Sequence, residues 1–287
     1  HYLGELPHER RYKTLKARLR RHGNTLLISN PATSFRFSEA VRKLRRSVEQ
    51  HMEGNALMVV SLLPNEGKST VAVNLAMALA KKHPHVLLVD CDLRKPSCAQ
   101  QMSINWDTLG VRDVLTGNSV PEALIRHDSR SGLDVLLQKG GTMASGDLVS
   151  SYRMQLLVDW AKKKYDYVVF DMPPMAQVTD AESVMNTVDS VLLVVRQNAA
   201  PAKSLNKAIE ALNQGNAKLL GCVLNNVYAT NFFSGQGYGN AYGHYGQYDH
   251  YDRYGRYGHY GKYGHYGKYG KYGDTSAYDA YDFEKQD

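Results

Sequence analysis

A chain of 287 residues and 32.2 kDa is long enough for one large α/β domain or two small ones around a sizeable core, which excludes a purely disordered or fibrous protein. A hydrophobic content of 43% and a charged content of 22% are ordinary for a globular protein, whereas 24 Gly and 20 Tyr are not, and both concentrate at the C-terminal end. The formal charge of +7 is unevenly spread: residues 1–50 carry twelve basic against four acidic side chains, 51–231 carry seventeen of each, and 232–287 carry six against seven. The basic excess therefore belongs to a short N-terminal arm, and no nucleic-acid partner is expected of the neutral middle.

Cys91, Cys98 and Cys222 are odd in number and lack CxxC or CxxH spacing, so neither a disulfide framework nor a zinc site is expected, and the chain reads as cytosolic and reduced. Apolar runs such as 86–89 and 191–195 fall far short of the roughly 18 residues that span a bilayer, and no signal-peptide pattern opens the chain. A soluble chain is expected, one that starts at His1 in the manner of a piece of a longer protein.

Residues 1–30 read as a basic, juxtamembrane-like segment. Its run RYKTLKARLRRH (11–22) suits either an anionic lipid surface or plain solvation. A domain is expected over 31–231. It opens with a helical stretch at 36–53 that sets Phe37, Val41, Leu44 and Val48 on one stripe and Arg and Glu on the other. Apolar runs at 57–61, 86–90, 133–137, 166–171, 190–195 and 219–224 read as buried strands, because they are nearly continuous in Val, Leu and Ile. Helical patterns at 69–82, 151–164 and 202–213 fall between them. This βαβα rhythm predicts an α/β fold with a mostly parallel sheet covered by helices on both faces.

Past Thr230 the periodicity ends. From Tyr242 to Tyr272 a tyrosine falls at every third position, interleaved with Gly, His and Lys. Without aliphatic residues no core can form, so a disordered tail is expected over 232–287. As a bare sequence it suits a phosphate acceptor, a base-stacking segment or a self-association segment. Four His residues in it (His244, His250, His259, His265) lack the fixed spacing of a defined metal site.

The run VVSLLPNEGKSTVAVNLAMALA (59–80) puts a strand, a loop ending in Gly67, Lys68, Ser69 and Thr70, and a helix in succession. That is a P-loop setting: backbone N–H groups at a helix N-terminus face phosphate oxygens, Gly67 permits close approach, Lys68 reaches the β- and γ-phosphates, and Ser69 binds Mg²⁺. The first glycine of the usual pattern is absent, since position 62 is Leu. Two further strands end in acids, VLLVDCDLRKP (86–96) with Asp90 and Asp92, and YDYVVFDMPP (165–174) with Asp171. Carboxylates there, at the edge where α/β sheets take ligands, suit Mg²⁺ binding and acceptance of a hydroxyl proton. For any single one, a turn or cap role is the competing reading.

Together these residues resemble the bacterial tyrosine kinases of exopolysaccharide and capsule synthesis, relatives of the MinD/ParA class of P-loop ATPases. The family's SxxPxxGK[ST] is similar to Ser61 through Ser69, its DxDxR motif to Asp90, Asp92 and Arg94, and its Walker B to VVFDMPP, with Met172 where Ser or Thr is usual. The resemblance implies an ATP-dependent autokinase that phosphorylates its tyrosine cluster in trans and regulates polysaccharide polymerisation and export. Lys68, Asp90 and Asp92 would be catalytic. ATP/ADP would lie on Pro64, Asn65, Glu66, Gly67, Lys68, Ser69, Thr70 and Asn225, and Mg²⁺ on Ser69, Asp90 and Asp171.

It further implies a ring-like homo-oligomer held through Glu39, Arg42 and Arg45, although Glu39 and Arg42 are also spaced for a local ion pair. Phosphoacceptors would be Tyr238, Tyr242, Tyr245, Tyr248, Tyr251, Tyr254, Tyr257, Tyr260, Tyr263, Tyr266, Tyr269, Tyr272, Tyr278 and Tyr281. Implied partners are a membrane activator of the polysaccharide co-polymerase type, fused or separate, and a cognate tyrosine phosphatase, at the cytoplasmic face of the bacterial inner membrane. The competing expectation is a MinD/ParA-type ATPase switch without kinase activity.

Overall fold

A computed structural model describes residues 1–9, 26–106, 109–142, 145–177 and 185–228. Its strands are β1 (Tyr2–Pro7), β2 (Ala56–Ser61), β3 (Val86–Asp90), β4 (Arg126–Asp128), β5 (Leu133–Leu136), β6 (Tyr167–Asp171), β7 (Ser190–Arg196) and β8 (Lys218–Val227). Its helices are α1 (Phe35–His51), α2 (Lys68–Ala80), α3 (Cys98–Met102), α4 (Val111–Thr116), α5 (Pro121–Leu124), α6 (Ser145–Val149), α7 (Tyr152–Lys164) and α8 (Ala202–Gln214).

The strands form a single sheet in the order β1-β8-β7-β2-β6-β3-β5-β4. All neighbours are parallel except β4 and β5. Alternate side chains feed two cores. Leu57 and Val59 pack with α1 and α2 on one face, and Met58 and Val60 pack with α4 and α7 on the other. Burial on both faces is why these strands are apolar at every position rather than every second one.

The expected amphipathic helix is α1: Phe37, Val41, Leu44 and Val48 are its buried residues, and the Ser34 hydroxyl caps it by accepting from Phe37 N at 3.1 Å. Helix α2 instead lies between α1 and the sheet and is buried almost all round. Its buried Asn74 accepts from Ile28 N and donates to Leu26 O, both at 2.8 Å, which ties the 26–28 segment to the helix.

The first residues differ from the sequence expectation. Within the segment read as a basic arm, Tyr2–Pro7 is an edge strand that pairs in parallel with β8 and buries Leu3 and Leu6. YLGELP carries Gly4, ends in Pro7 and has no β-branched residue, so propensity gives no strand signal; Pro is tolerated because the strand is at an edge. Residues 232–287, with all fourteen expected acceptor tyrosines, and the whole basic run 11–22 lie outside the described residues.

Candidate active site

Strands β2, β6 and β3 are adjacent, and their C-terminal ends are level: Val59 pairs with Asp171, and Asp171 with Asp90. Two of the expected acids therefore lie side by side next to the loop that leaves β2. In that loop, residues 62–67, Asn65 (φ 64°) and Gly67 (φ 90°) are both left-handed, and α2 begins at Lys68. A Cβ on Gly67 would lie 2.1 Å from Asn225 Nδ2, so only glycine fits both the backbone angle and the space. Gly67→Ala is accordingly expected to destabilise the chain by about 1–3 kcal/mol and to weaken binding of a fluorescent ADP analogue at least about tenfold, read by thermal melting and titration.

Two residues expected to meet the nucleotide are seen bracing the loop. The buried Glu66 carboxylate accepts from Leu63 N at 2.7 Å and from Arg196 N at 3.4 Å, which fastens the loop to the end of β7. Asn225, on β8, donates from Nδ2 to the Glu66 carbonyl at 2.9 Å. Pro64 and Asn65 are exposed at the loop tip, and Thr70 lies one turn into α2, where its carbonyl accepts from Asn74 Nδ2 at 2.8 Å.

Lys68 is buried with the three acids. Its Nζ donates to Asp92 Oδ2 at 2.7 Å and to Ser69 Oγ at 3.3 Å. Asp171 Oδ1, at 3.5 Å, is an ion-pair contact too long for a good hydrogen bond. Asp92 is held on its other oxygen by Lys95 N at 3.0 Å. Asp90 Oδ2 accepts from Ser97 N at 3.1 Å and Cys98 N at 2.9 Å, so this acid also caps the turn into α3, the structural role that competed with the metal reading.

Asp90 Oδ1 and Asp171 Oδ1 are buried with no hydrogen-bond partner; Lys68 partly answers the second from 3.5 Å, and the first is an expensive arrangement unless a cation or proton meets it. Burial and the neighbouring Asp171 push Asp90 above the ordinary carboxylate range, and burial does the same to Asp171 against the opposing pull of Lys68. Burial alone would lower Lys68, but Asp171, Asp92 and Asp90 outweigh it and keep the ammonium protonated. Three carboxylates facing one ammonium leave an excess of negative charge. With two unpartnered oxygens and the Ser69 hydroxyl close by, the donor set is all oxygen and fits Mg²⁺.

On α1, Arg42 pairs with Glu39, so the local ion pair is formed. Arg45 pairs with Glu49 at 3.0 Å, and the same carboxylate accepts from His83 Nε2 at 2.9 Å when that nitrogen carries the proton. The sequence reading missed the bracing by Glu66, whose single signal was its place inside the loop, and the approach of Cys98 to the acids, for which no spacing gave a signal.

Residues 54–249 match the ParA family described as NUBPL iron-transfer P-loop NTPase. Tyrosine-protein kinase YwqD of Bacillus subtilis is 35% identical over 191 residues, 66% of this chain and 80% of YwqD. Etk of Escherichia coli K12 is 33% identical over 205 residues, which is 70% of this chain but 28% of Etk. The solved kinase domain of E. coli ETK superposes with a TM-score of 0.68 at 31% identity, covering 83% of this chain and 95% of that domain. The succinoglycan biosynthesis transport protein ExoP of Rhizobium meliloti is 32% identical over 195 residues, 66% of this chain and 25% of ExoP. The chain thus spans about a quarter of the longer relatives and most of the shorter one, and within that span its sequence and its sheet are similar to theirs: it belongs to the bacterial tyrosine-kinase branch of the ParA-type P-loop NTPases.

Proposed function

We propose that the chain is an ATP-dependent protein-tyrosine autokinase whose acceptors are the tyrosines of the C-terminal repeat of a neighbouring copy, and that it serves polysaccharide polymerisation and export. The observation that carries this reading is the meeting of Lys68, Asp92, Asp90 and Asp171 at the mouth of a glycine-closed helix N-terminus. Transfer to a phenol needs positioning, charge neutralisation and a proton acceptor. The α2 N-terminus and Lys68 hold the triphosphate. Mg²⁺ on Ser69, Asp90 and Asp171 would supply neutralisation of the phosphate charge.

Lys68 now spends its ammonium on Asp92. When it turns to the phosphates, Asp92 Oδ2 is freed, still oriented by Lys95 N, to take the phenol proton. As that proton moves, the tyrosine oxygen bonds to the γ-phosphorus, the bond to the bridging oxygen breaks, and ADP leaves. The tyrosine repeat supplies the substrate, and each modified residue adds about −1.5 to −2 charge, so a heavily modified tail repels its neighbours.

A ring-like homo-oligomer bearing on Glu39, Arg42 and Arg45, a membrane activator, a tyrosine phosphatase and a place at the cytoplasmic face of the membrane belong to the same proposal. The names of the kinase and transport relatives support the kinase activity and the link to polysaccharide export. Among the described residues, no helix is long and apolar enough to cross a membrane.

The test is incubation of the purified chain with Mg²⁺ and ATP, followed by phosphotyrosine blotting and mass-spectrometric mapping. Phosphate on the 238–281 tyrosines is expected. Steady phosphate release beside a blank blot would reassign the chain to the ATPase switch.

A further inference from the structure

Cys98 is the one group at the acid cluster that magnesium chemistry does not use. The thiol is fully buried, it donates from Sγ to Asp171 Oδ2 at 3.3 Å, and its backbone N–H fixes Asp90 Oδ2 at 2.9 Å. One ligand atom from each of Asp90, Cys98 and Asp171 lies within 4.8 Å of the others, all three residues being buried. Asp90 Oδ1 and Asp171 Oδ1, the oxygens that also suit Mg²⁺, have no hydrogen-bond partner, although Lys68 Nζ lies 3.5 Å from the second, so these two acids call for a cation that either kind of metal could supply.

We propose that Asp90, Cys98 and Asp171 form a second, thiophilic metal site that takes a soft or borderline divalent cation such as Zn²⁺ or Co²⁺ in place of the hard one. Two carboxylates and a thiolate make a donor set that zinc and cobalt favour and magnesium does not, because magnesium wants oxygen in near-octahedral array. Binding forms a metal–sulfur bond as the Sγ–H proton leaves to solvent. Lys68 need not be expelled: it keeps Asp92, its 2.7 Å partner, and gives up the longer contact with Asp171.

Metal occupancy itself does not depend on the tyrosine-kinase reading. Its consequence, competition with the Mg²⁺ nucleotide for Asp90 and Asp171, rests on that reading. The sequence gives no hint of the site because the three residues are not spaced as a motif: strand pairing joins Asp90 to Asp171, and the turn into α3 returns Cys98 to both.

The experiment titrates Co²⁺ into the full chain at neutral pH in a large excess of Mg²⁺ and reads thiolate-to-cobalt charge-transfer absorbance. A saturable band with one cobalt per chain is expected. It should survive in Cys91→Ser and Cys222→Ser and vanish in Cys98→Ser, whose cobalt affinity should fall about tenfold or more. Thermal melting checks that Cys98→Ser folds, and Cys98→Ala serves as a second variant with the same expected loss.

Histidines of the tail give cobalt binding without a thiolate band, so they do not mimic the result. Absence of the band in the parent chain, or its persistence in both Cys98 variants, overturns the site. A separate titration with a fluorescent ADP analogue, with and without cobalt, reads the competition. If the analogue fails to bind even without cobalt, the kinase reading falls while the metal result stands.

Discussion

Lys68→Met is expected to reduce tail phosphorylation at least about a thousandfold while leaving the variant a good substrate for an active copy. In a mixture of a tail-less active chain and a full-length Lys68→Met chain, phosphotyrosine should appear on the latter, since its acceptors lie outside the domain that was damaged. Absence of that signal would confine the reaction to a single chain or exclude it.

The same substitution also probes how the site is held together without nucleotide. Lys68 is the ammonium in ion-pair contact with both Asp92 and Asp171. Removing one partner of a buried ionic cluster costs about 3–5 kcal/mol, because the remaining charges stay buried and unanswered. The loss should be largest at pH 8 and should shrink towards pH 5, as Asp90 and Asp171, both already raised by burial, take up protons in place of the missing cation. A melting-temperature deficit that does not change with pH would argue that the carboxylates are not what Lys68 stabilises.

How much of this was legible in the chain follows from which forces are local. The strands at 56–61, 86–90 and 167–171 are apolar at successive positions because both faces of the sheet are covered, and that signal sits within each segment. The acids at their ends are legible in the same way, since three of them at the ligand-binding edge say more together than one does: each alone suits a turn or cap, a role that Asp90 in fact also fills.

What could not be read depends on contacts made across the chain. Tyr2–Pro7 becomes a strand only because β8 offers it an unpaired edge some 220 residues away, as Tyr2 pairing with Cys222 shows. Glu66 and Asn225 appeared as ligand contacts by position, yet the side chain of each spends its hydrogen bonds on the loop. A loop with Asn65 and Gly67 in left-handed conformations needs such bracing to hold its N–H groups in one orientation before phosphate arrives. Cys98 is the extreme case, as nothing local distinguishes a buried thiol that fills space from one aimed at two carboxylates.

Asp90→Asn separates what the acid does for the fold from what it does for the ligand, and the two effects have opposite signs. Burial first, then Asp171, raises Asp90 in the folded chain to about 7, opposed by the Cys98 N–H. In the unfolded chain a free aspartate titrates near 4. The folded state therefore holds this proton more tightly: the stabilising contribution is complete below about pH 4 and is lost as pH rises through about 7.

Asparagine is permanently neutral, and its carbonyl oxygen can still accept from Ser97 and Cys98 N–H. Without nucleotide at pH 8 the variant should melt roughly 3–6 °C above the parent, an effect on the order of 1–2 kcal/mol, and the difference should vanish towards pH 4. With Mg²⁺ and ADP at about a hundred times the dissociation constant the parent gains about 2.7 kcal/mol, whereas the variant, lacking one of the anionic oxygens meant for the cation, gains little. The order of the two melting temperatures should thus invert on adding ligand, and phosphorylation by the variant should fall by at least about a hundredfold. A variant less stable than the parent at pH 8 without ligand would mean that the excess negative charge at the β3 and β6 ends carries no cost. The unpartnered Asp90 oxygen would then be a feature of packing and not the imprint of a cation.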